Sequence, residues 1–496
     1  MFHIIKNLAK HSAIYGVADM LSRALGFLMI PLYTHYLSTS DYGTLELLDL
    51  TSYIAGMFLG MGITQAVMRF YYKYDDPEMK QHVLSVAMIT LSIISVSILA
   101  LLLLFSDEIS TLVFDSASFS RLINIVFITF VIQLAQEVPK ALLRMEEKSV
   151  LFVSISFTKT LLSLGLNVYF IVGLGLGVMG LLFSGLITAS VSAIGFAIYI
   201  LRRVKFTFSF KMARELLRFG VPLVWGTLGM FILNFGDRFI LQRMMSLSEV
   251  GIYALAYKFG MMPNMLVMSP FLMIWGPKRF DLVKEANAKS IFATIFTYFV
   301  FIEILVSLGI AVTIKDVISV AADPSYAEAH KYVPLLLVSY ILNGIYVYVQ
   351  FGLHLENKTK YLALATLTAA AINTACNLLL IPIVGIWGAA VSTVVAFTFL
   401  TIYTHVKSQR LYVVNYEVGR IVKMSVVAMI LYAVSLVIDV PNLAFSLIVK
   451  MAIALSFPII LYFWRFYSED ELQKMNELSR LVVGTSKRLL LRNSRH

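Results

Sequence analysis

Apolar residues run along this chain in blocks of about 20 or more, separated by short polar clusters, the pattern of helices that cross a bilayer. Read by that rule, the blocks predict an all-α polytopic membrane protein of about fourteen spans. They lie near 11–36, 43–69, 84–106, 119–143, 149–173, 177–201, 217–242, 249–276, 288–314, 331–355, 359–383, 386–407, 417–439 and 443–465. No polar stretch is long enough to hold a separate soluble domain. The first span follows a short basic segment, contains Asp19 and Arg23, and lacks a small-residue cleavage site. It is expected to be a retained helix and not a signal peptide.

The pattern repeats about every 208 residues. Leu37-Ser38-Thr39-Ser40-Asp41-Tyr42-Gly43 returns as Met245-Ser246-Leu247-Ser248-Glu249-Val250-Gly251, and Gly177-Val178-Met179-Gly180 returns as Gly385-Ile386-Trp387-Gly388. A polar stripe returns as well. Gln133, Lys140 and Arg144 correspond to Asn343, Gln350 and His354, and Glu146 and Lys148 to Glu356 and Lys358. This register predicts a six-helix bundle over 1–203, a second over 204–410, two further helices over 411–466, and an amphipathic cytoplasmic tail over 467–496. Each half holds an even number of spans, so the repeat is parallel. Membrane proteins built from two related halves tend to hold a site between them and to move the halves against each other, which points to a transporter.

Composition narrows the class without changing it. The 496 residues are 59% hydrophobic and 14% charged, with net charge +11, and mean hydropathy is +0.83. Alternate loops collect Lys and Arg, among them Arg69, Lys73 and Lys80, Arg202 to Arg214, Lys278 to Lys289, and Lys407 with Arg410. The intervening loops carry little beyond Arg121, Arg243 and Lys315. The positive-inside rule then puts both termini in the cytoplasm. The basic excess is topogenic, and no nucleic-acid partner is expected, since no soluble basic face exists. Cys376 is the only cysteine, no His pair has ligand spacing, and no glycine-rich loop ends in Gly-Lys-Ser/Thr. Disulfides, metal sites and ATP hydrolysis are excluded on those grounds.

Ionisable groups inside spans are costly and usually face a bundle interior or a wet cavity. Gln133, Gln136, Glu137, Lys140 and Arg144 share one helix face by their spacing, and Asn343, Gln350 and His354 occupy the equivalent face of the tenth span. A polar stripe on two symmetry-related helices predicts a shared hydrophilic cavity; the alternative is a packing seam held by modest hydrogen bonds. Lys159 and Asn167 share a face of the fifth span. Asp19 and Arg23, four apart, either pair with each other or line the cavity. Asp237 and Arg238 diverge by roughly 100°, so at most one points into a cavity. Lys258 and Glu303 lack local partners. Lys450, outside the repeat, is expected to pack or to face lipid.

Ser22-Arg23-Ala24-Leu25-Gly26-Phe27, Pro31 and the following LSTSDYG segment resemble the opening of lipid-linked oligosaccharide flippases of the Wzx type. Pro222, Asp237-Arg238-Phe239 and Glu249-Val250-Gly251-Ile252-Tyr253-Ala254 resemble their second half, so the similarity runs over roughly residues 10 to 465. These proteins belong to the multidrug/oligosaccharidyl-lipid/polysaccharide exporter superfamily. The resemblance implies two helix bundles around a central cavity, alternating access, and an undecaprenyl-diphosphate-linked oligosaccharide as cargo. It also implies a place in the bacterial cytoplasmic (inner) membrane during synthesis of a surface polysaccharide, whether O-antigen, capsule or another polymer. Membrane lipids are further partners, with a polysaccharide polymerase and chain-length machinery as possible ones. An anionic head group needs cations, and the candidates are Arg23, Lys140, Arg144, Lys159, Arg238 and Lys258. Gln133, Asn343, Gln350 and His354 complete the expected cavity. No cofactor is expected, but a proton or sodium gradient is a possible drive, with Glu46, Asp49 and Glu303 as coupling candidates. The rivals are a MATE-like multidrug exporter of the same superfamily, disfavoured by these cations, an exporter of another lipid-linked precursor, and a membrane enzyme such as a polysaccharide polymerase, disfavoured by the short outer loops.

Overall fold

The computed structural model describes residues 25–201, 203–438, 440–469 and 471–473, apart from the side chains of 223, 225 and 226. Arg23, the Asp19–Arg23 pair and most of the 467–496 tail lie outside the described residues. So does most of the first expected span, of which the end is helix α1 (Ile30–Tyr36). The chain is all-α. Among the described residues, 12 helices are long and apolar enough to cross a membrane, and a bent pair makes up to 13. These match the expected spans from 43–69 onward.

In chain order they are α2 (Thr39–Gly60), α3 (Ile63–Lys73), α4 (Pro77–Leu104), the short α5 (Ser106–Phe114), α6 (Ser120–Ala135), α7 (Glu137–Met145), α8 (Ser149–Val168) and α9 (Gly177–Leu201). Next come α10 (Phe210–Met244), α11 (Leu247–Gly260), α12 (Ser269–Leu282), α13 (Ala288–Ala321), α14 (Val333–Val349) and α15 (Phe351–Leu355). The last four are α16 (Lys360–Val384), α17 (Ile386–Gln409), α18 (Val418–Val437) and α19 (Leu443–Phe463).

Several spans are broken where the sequence explains it. Met61 and Gly62 both take left-handed backbone, at φ 42° and 63°, and separate α2 from α3. Pro139 removes a donor and crowds the carbonyl four residues back, so α6 ends at Ala135 and α7 begins at Glu137. Around Pro222, α10 bends by 48°.

The repeated segments adopt repeated structures. The loop expected at 37–43 is the start of a helix: Ser38 caps α2 in a reciprocal box with Asp41, and Ser246 caps α11 through the Glu249 backbone. This is the S/T-x-x-acid signature of a helix N-terminus. Gly177 and Gly385 both have positive φ. After the stripe, Glu147 and Asn357 are both left-handed. The Lys148 and Lys358 backbone N–H groups donate to Leu143 and Leu353, at 2.9 and 2.8 Å.

Two compact units emerge, one of residues up to 262 with 317–411, the other of 263–316 with the segment from 412 onward. The first draws helices from both sequence repeats. There α2 and α11 meet at their N-termini: a Cβ on Gly43 would fall onto the Leu247 carbonyl, and one on Gly251 onto that of Thr39. Thr39 and Ser248 hydroxyls sit 2.6 Å apart, and Tyr326 donates to the carbonyls of Leu37 and Ser38. Gly43→Val overpacks a backbone-to-backbone contact, which costs about 1–3 kcal/mol. Its apparent melting temperature in detergent should fall by several degrees, whereas a Gly165→Val control, where a Cβ meets nothing, should fall less.

At the basic-loop end of this unit, Glu146 accepts from Tyr199 at 2.5 Å and Arg203 at 2.8 Å. Burial alone would raise its carboxyl, but Tyr199, Lys148 and Arg203 together hold it below the usual value. Its stabilisation is present above the ordinary carboxylate pKa and is lost as pH falls through the lowered one.

The second unit has an aromatic core. Phe271 stacks on Phe299 at 4.5 Å, and Trp275 meets Phe292 at 4.9 Å. Lys450 is a packing residue, bonded to Asp316 at 2.8 Å and largely buried.

Candidate functional site

Two adjoining cavities open inside the first unit, both walled by membrane-spanning helices. They share Tyr33, Ser163 and Asn167. The larger, ≈ 540 Å³, is basic; the smaller, ≈ 280 Å³, is acidic.

The basic cavity depends on the break before α7. Gln136 is 1% exposed and its amide closes the gap, donating to the carbonyls of Ile132 and Ala189 and accepting from Ser192 at 3.0 Å. That ties the break to α9 and turns the next helical face inward. Glu137, Lys140 and Arg144 then line the cavity, with Lys159 and Asn167 entering from α8. Lys140 bonds Glu137 at 3.0 Å, and both are part-exposed. Arg144 lies 5.7 Å over the Phe152 ring. Lys159 is half-buried and has no hydrogen bond or ion pair among the described residues. The wall thus carries three cations and a single carboxylate. Cations held away from bulk water are costly unless an anion meets them.

The acidic cavity lies toward the opposite helix ends. Glu46 and Asp49 enter from α2, Gln133 from α6 and Lys258 from α11. Lys258 donates to the Tyr42 hydroxyl at 2.6 Å and sits 4.7 Å over that ring. At the junction, Asn167 donates to the Tyr33 hydroxyl at 2.7 Å, a bond between two residues that line both compartments.

The expected residues therefore separate into groups. Lys140, Arg144 and Lys159 come together; Gln133, Lys258, Glu46 and Asp49 gather next to them. Arg238, expected in the cavity, lines neither compartment. It is 1% exposed, paired to Asp237 at 2.6 Å, within 3.5 Å of Glu46 and 3.8 Å over the Tyr257 ring. Asp237 also accepts from Tyr253 at 2.8 Å. This is an internal ion pair caged by aromatic rings. Asn343, Gln350 and His354 line neither compartment either. Asn343, on α14, is 6% exposed, whereas Gln350 and His354, beyond the end of α14, are half-buried. Glu303 belongs to the second unit, fully buried, with neither oxygen bonded.

Sequence reasoning missed the Tyr33–Asn167 hydrogen bond and the part of Tyr42. Tyr42 had a signal, since it sits in the repeated capping segment. Tyr33 had none, as its partner is 134 residues away.

The sequence profile of a family described as polysaccharide biosynthesis protein matches residues 8–277. A probable low-salt glycan biosynthesis flippase, Agl15, from Haloferax volcanii is 25% identical over 200 residues, 39% of this chain and 42% of that protein. The succinoglycan biosynthesis transport protein ExoT of Rhizobium meliloti is 25% identical over 272 residues, 54% and 52% of the two chains. The chain spans about half the length of these relatives. Among solved structures, the lipid II flippase MurJ in an inward closed conformation superposes with TM-score 0.76 at 16% identity, covering 91% of this chain and 99% of that one. An inward-facing multidrug resistance MATE transporter gives 0.61 at 18% identity, with 79% and 95% covered. At those identities the likeness is one of fold.

Proposed function

The chain belongs to the polysaccharide biosynthesis protein family, and on that premise we propose that it is a flippase for a lipid-linked oligosaccharide, carrying the sugars and their diphosphate across the cytoplasmic membrane. The observation that carries the proposal is the basic cavity: three cations against a single carboxylate within membrane-spanning helices. A diphosphate leaving water needs charge and multidentate hydrogen bonds, which Lys and Arg supply. Lys159, unpaired among the described residues, is placed to receive it, and Lys140 reaches it by exchanging Glu137 for phosphate. The undecaprenyl tail stays in the bilayer while the sugars occupy the cavity. The two related halves then rock, exposing the site to alternate sides. Glu46 and Asp49 in the acidic compartment are the groups through which a proton or sodium gradient would act. A multidrug exporter shares the fold but favours an apolar, acidic pocket, opposite in charge to the basic compartment.

Removing the protein from its host should make the lipid-linked precursor accumulate with its sugars facing the cytoplasm, while glycan assembly enzymes stay active. Normal precursor levels with normal surface polymer would refute the reading. The orientation it requires is checked by single-cysteine labelling in a Cys376→Ala background. Ser40, Ala117, Met245 and Ser325 should label from outside, and Asp75, Thr207, Lys284 and Arg410 only after permeabilisation.

A further inference from the structure

A third cavity in the first unit has a different character. It is a crevice of ≈ 600 Å³ walled almost wholly by apolar side chains of α2, α4, α5, α6, α10 and α16. Its one charged lining residue is Arg243, in the last turn of α10. Arg243 pairs with Asp115 at 3.2 Å, and both side chains are about half-exposed. Asp115 caps the nine-residue helix α5, whose first turn holds Asp107 and Glu108 and whose Ile109, Leu112 and Val113 face the crevice. The charges mark the level of lipid head groups, and the apolar walls descend from there among spans surrounded by hydrocarbon chains.

We propose that this crevice binds a zwitterionic phospholipid, one acyl chain between α2 and α4, its phosphate on Arg243 and its ammonium on Asp115. Charge complementarity selects the occupant. The rim offers one cation and one anion side by side, which phosphatidylethanolamine matches with two charges joined by a two-carbon link. A purely anionic lipid meets Arg243 but leaves Asp115 facing its phosphate. A lipid with no charged head leaves the rim pair as it is and gains only the walls. The site shares no lining residue with the basic cavity, and the assignment stands whatever cargo that cavity carries.

The test uses the full chain reconstituted in phosphatidylglycerol vesicles, whose bulk lipid is not of the proposed class, with a trace of phosphatidylethanolamine or phosphatidylglycerol bearing a photoreactive acyl chain. Crosslinked peptides are mapped by mass spectrometry. Crosslinks at 98–113 and 239–244 should favour the ethanolamine probe by about threefold, the scale of an exposed ion pair. Ala55→Trp, or Ile98→Trp from the facing wall, should remove those crosslinks while labelling at 429–437 persists. The Asp115→Asn/Arg243→Gln pair should keep crevice labelling but lose the head-group preference. Equal labelling by both probes in the wild type would overturn the zwitterion assignment. Labelling unaffected by either Trp substitution would overturn the site.

Discussion

Neutralising Lys140 and Lys159 together, as Lys140→Gln/Lys159→Gln, is expected to abolish export of the surface polymer without lowering the amount of protein in the membrane. Under the proposed mechanism each Lys contributes a charge-assisted hydrogen bond to phosphate, and such bonds are worth about 1.5–3 kcal/mol. Loss of both therefore predicts a fall of roughly 100-fold or more in transport, short of strict additivity because the residues share one cavity. The protein should still fold, since neither Lys is fully buried and relieving like charge costs the fold little. The Lys-to-Arg pair should retain part of the activity, keeping charge but changing geometry. Normal export by the neutral variant would end the cationic-cavity mechanism. Disappearance from the membrane would assign these charges to folding instead.

The second large effect concerns Arg238, for which the expected outcome is reversed. Arg238→Gln leaves Asp237, 0% exposed, as a buried carboxylate without its cation, and breaking a buried pair in this way costs about 3–5 kcal/mol. The variant should be depleted from the membrane and should melt early in detergent. Asp237→Asn/Arg238→Gln removes both charges and should recover much of that loss, because a matched neutral replacement of a buried pair is often tolerated. A stable, abundant Arg238→Gln protein that fails in transport would return Arg238 to the site.

These opposite expectations show how far the sequence could be read. Spans were legible because hydrocarbon burial demands long apolar runs, and the matching caps and left-handed turns were legible because they require particular residues at Ser38, Gly177 and their counterparts. The stripe was legible where the helix delivers it to a cleft, as with Lys140 and Arg144. Its counterpart was not: period alone puts Asn343 and Gln350 on one face, but whether Asn343 meets a cleft or, as here, the core depends on packing across the unit. Arg238 illustrates the same limit. A cation in a span signals something costly, its neighbour Asp237 was expected to point elsewhere, and only the folded positions of Asp237, Glu46 and Tyr257 show that the cost is met internally. The Tyr33–Asn167 hydrogen bond joins segments with no shared pattern, so nothing in the sequence announced it.

The most direct test of the central claim is transbilayer movement of an isoprenoid-diphosphate-linked oligosaccharide in proteoliposomes containing the purified protein, read as the fraction of sugar that becomes reachable by a membrane-impermeant modifying reagent. Wild-type protein should move the lipid-linked sugar across, inorganic diphosphate should compete, and the Lys140→Gln/Lys159→Gln protein, reconstituted at equal density, should leave it at the level of empty vesicles. Equal movement by wild type and double variant, indifferent to diphosphate, would contradict the account.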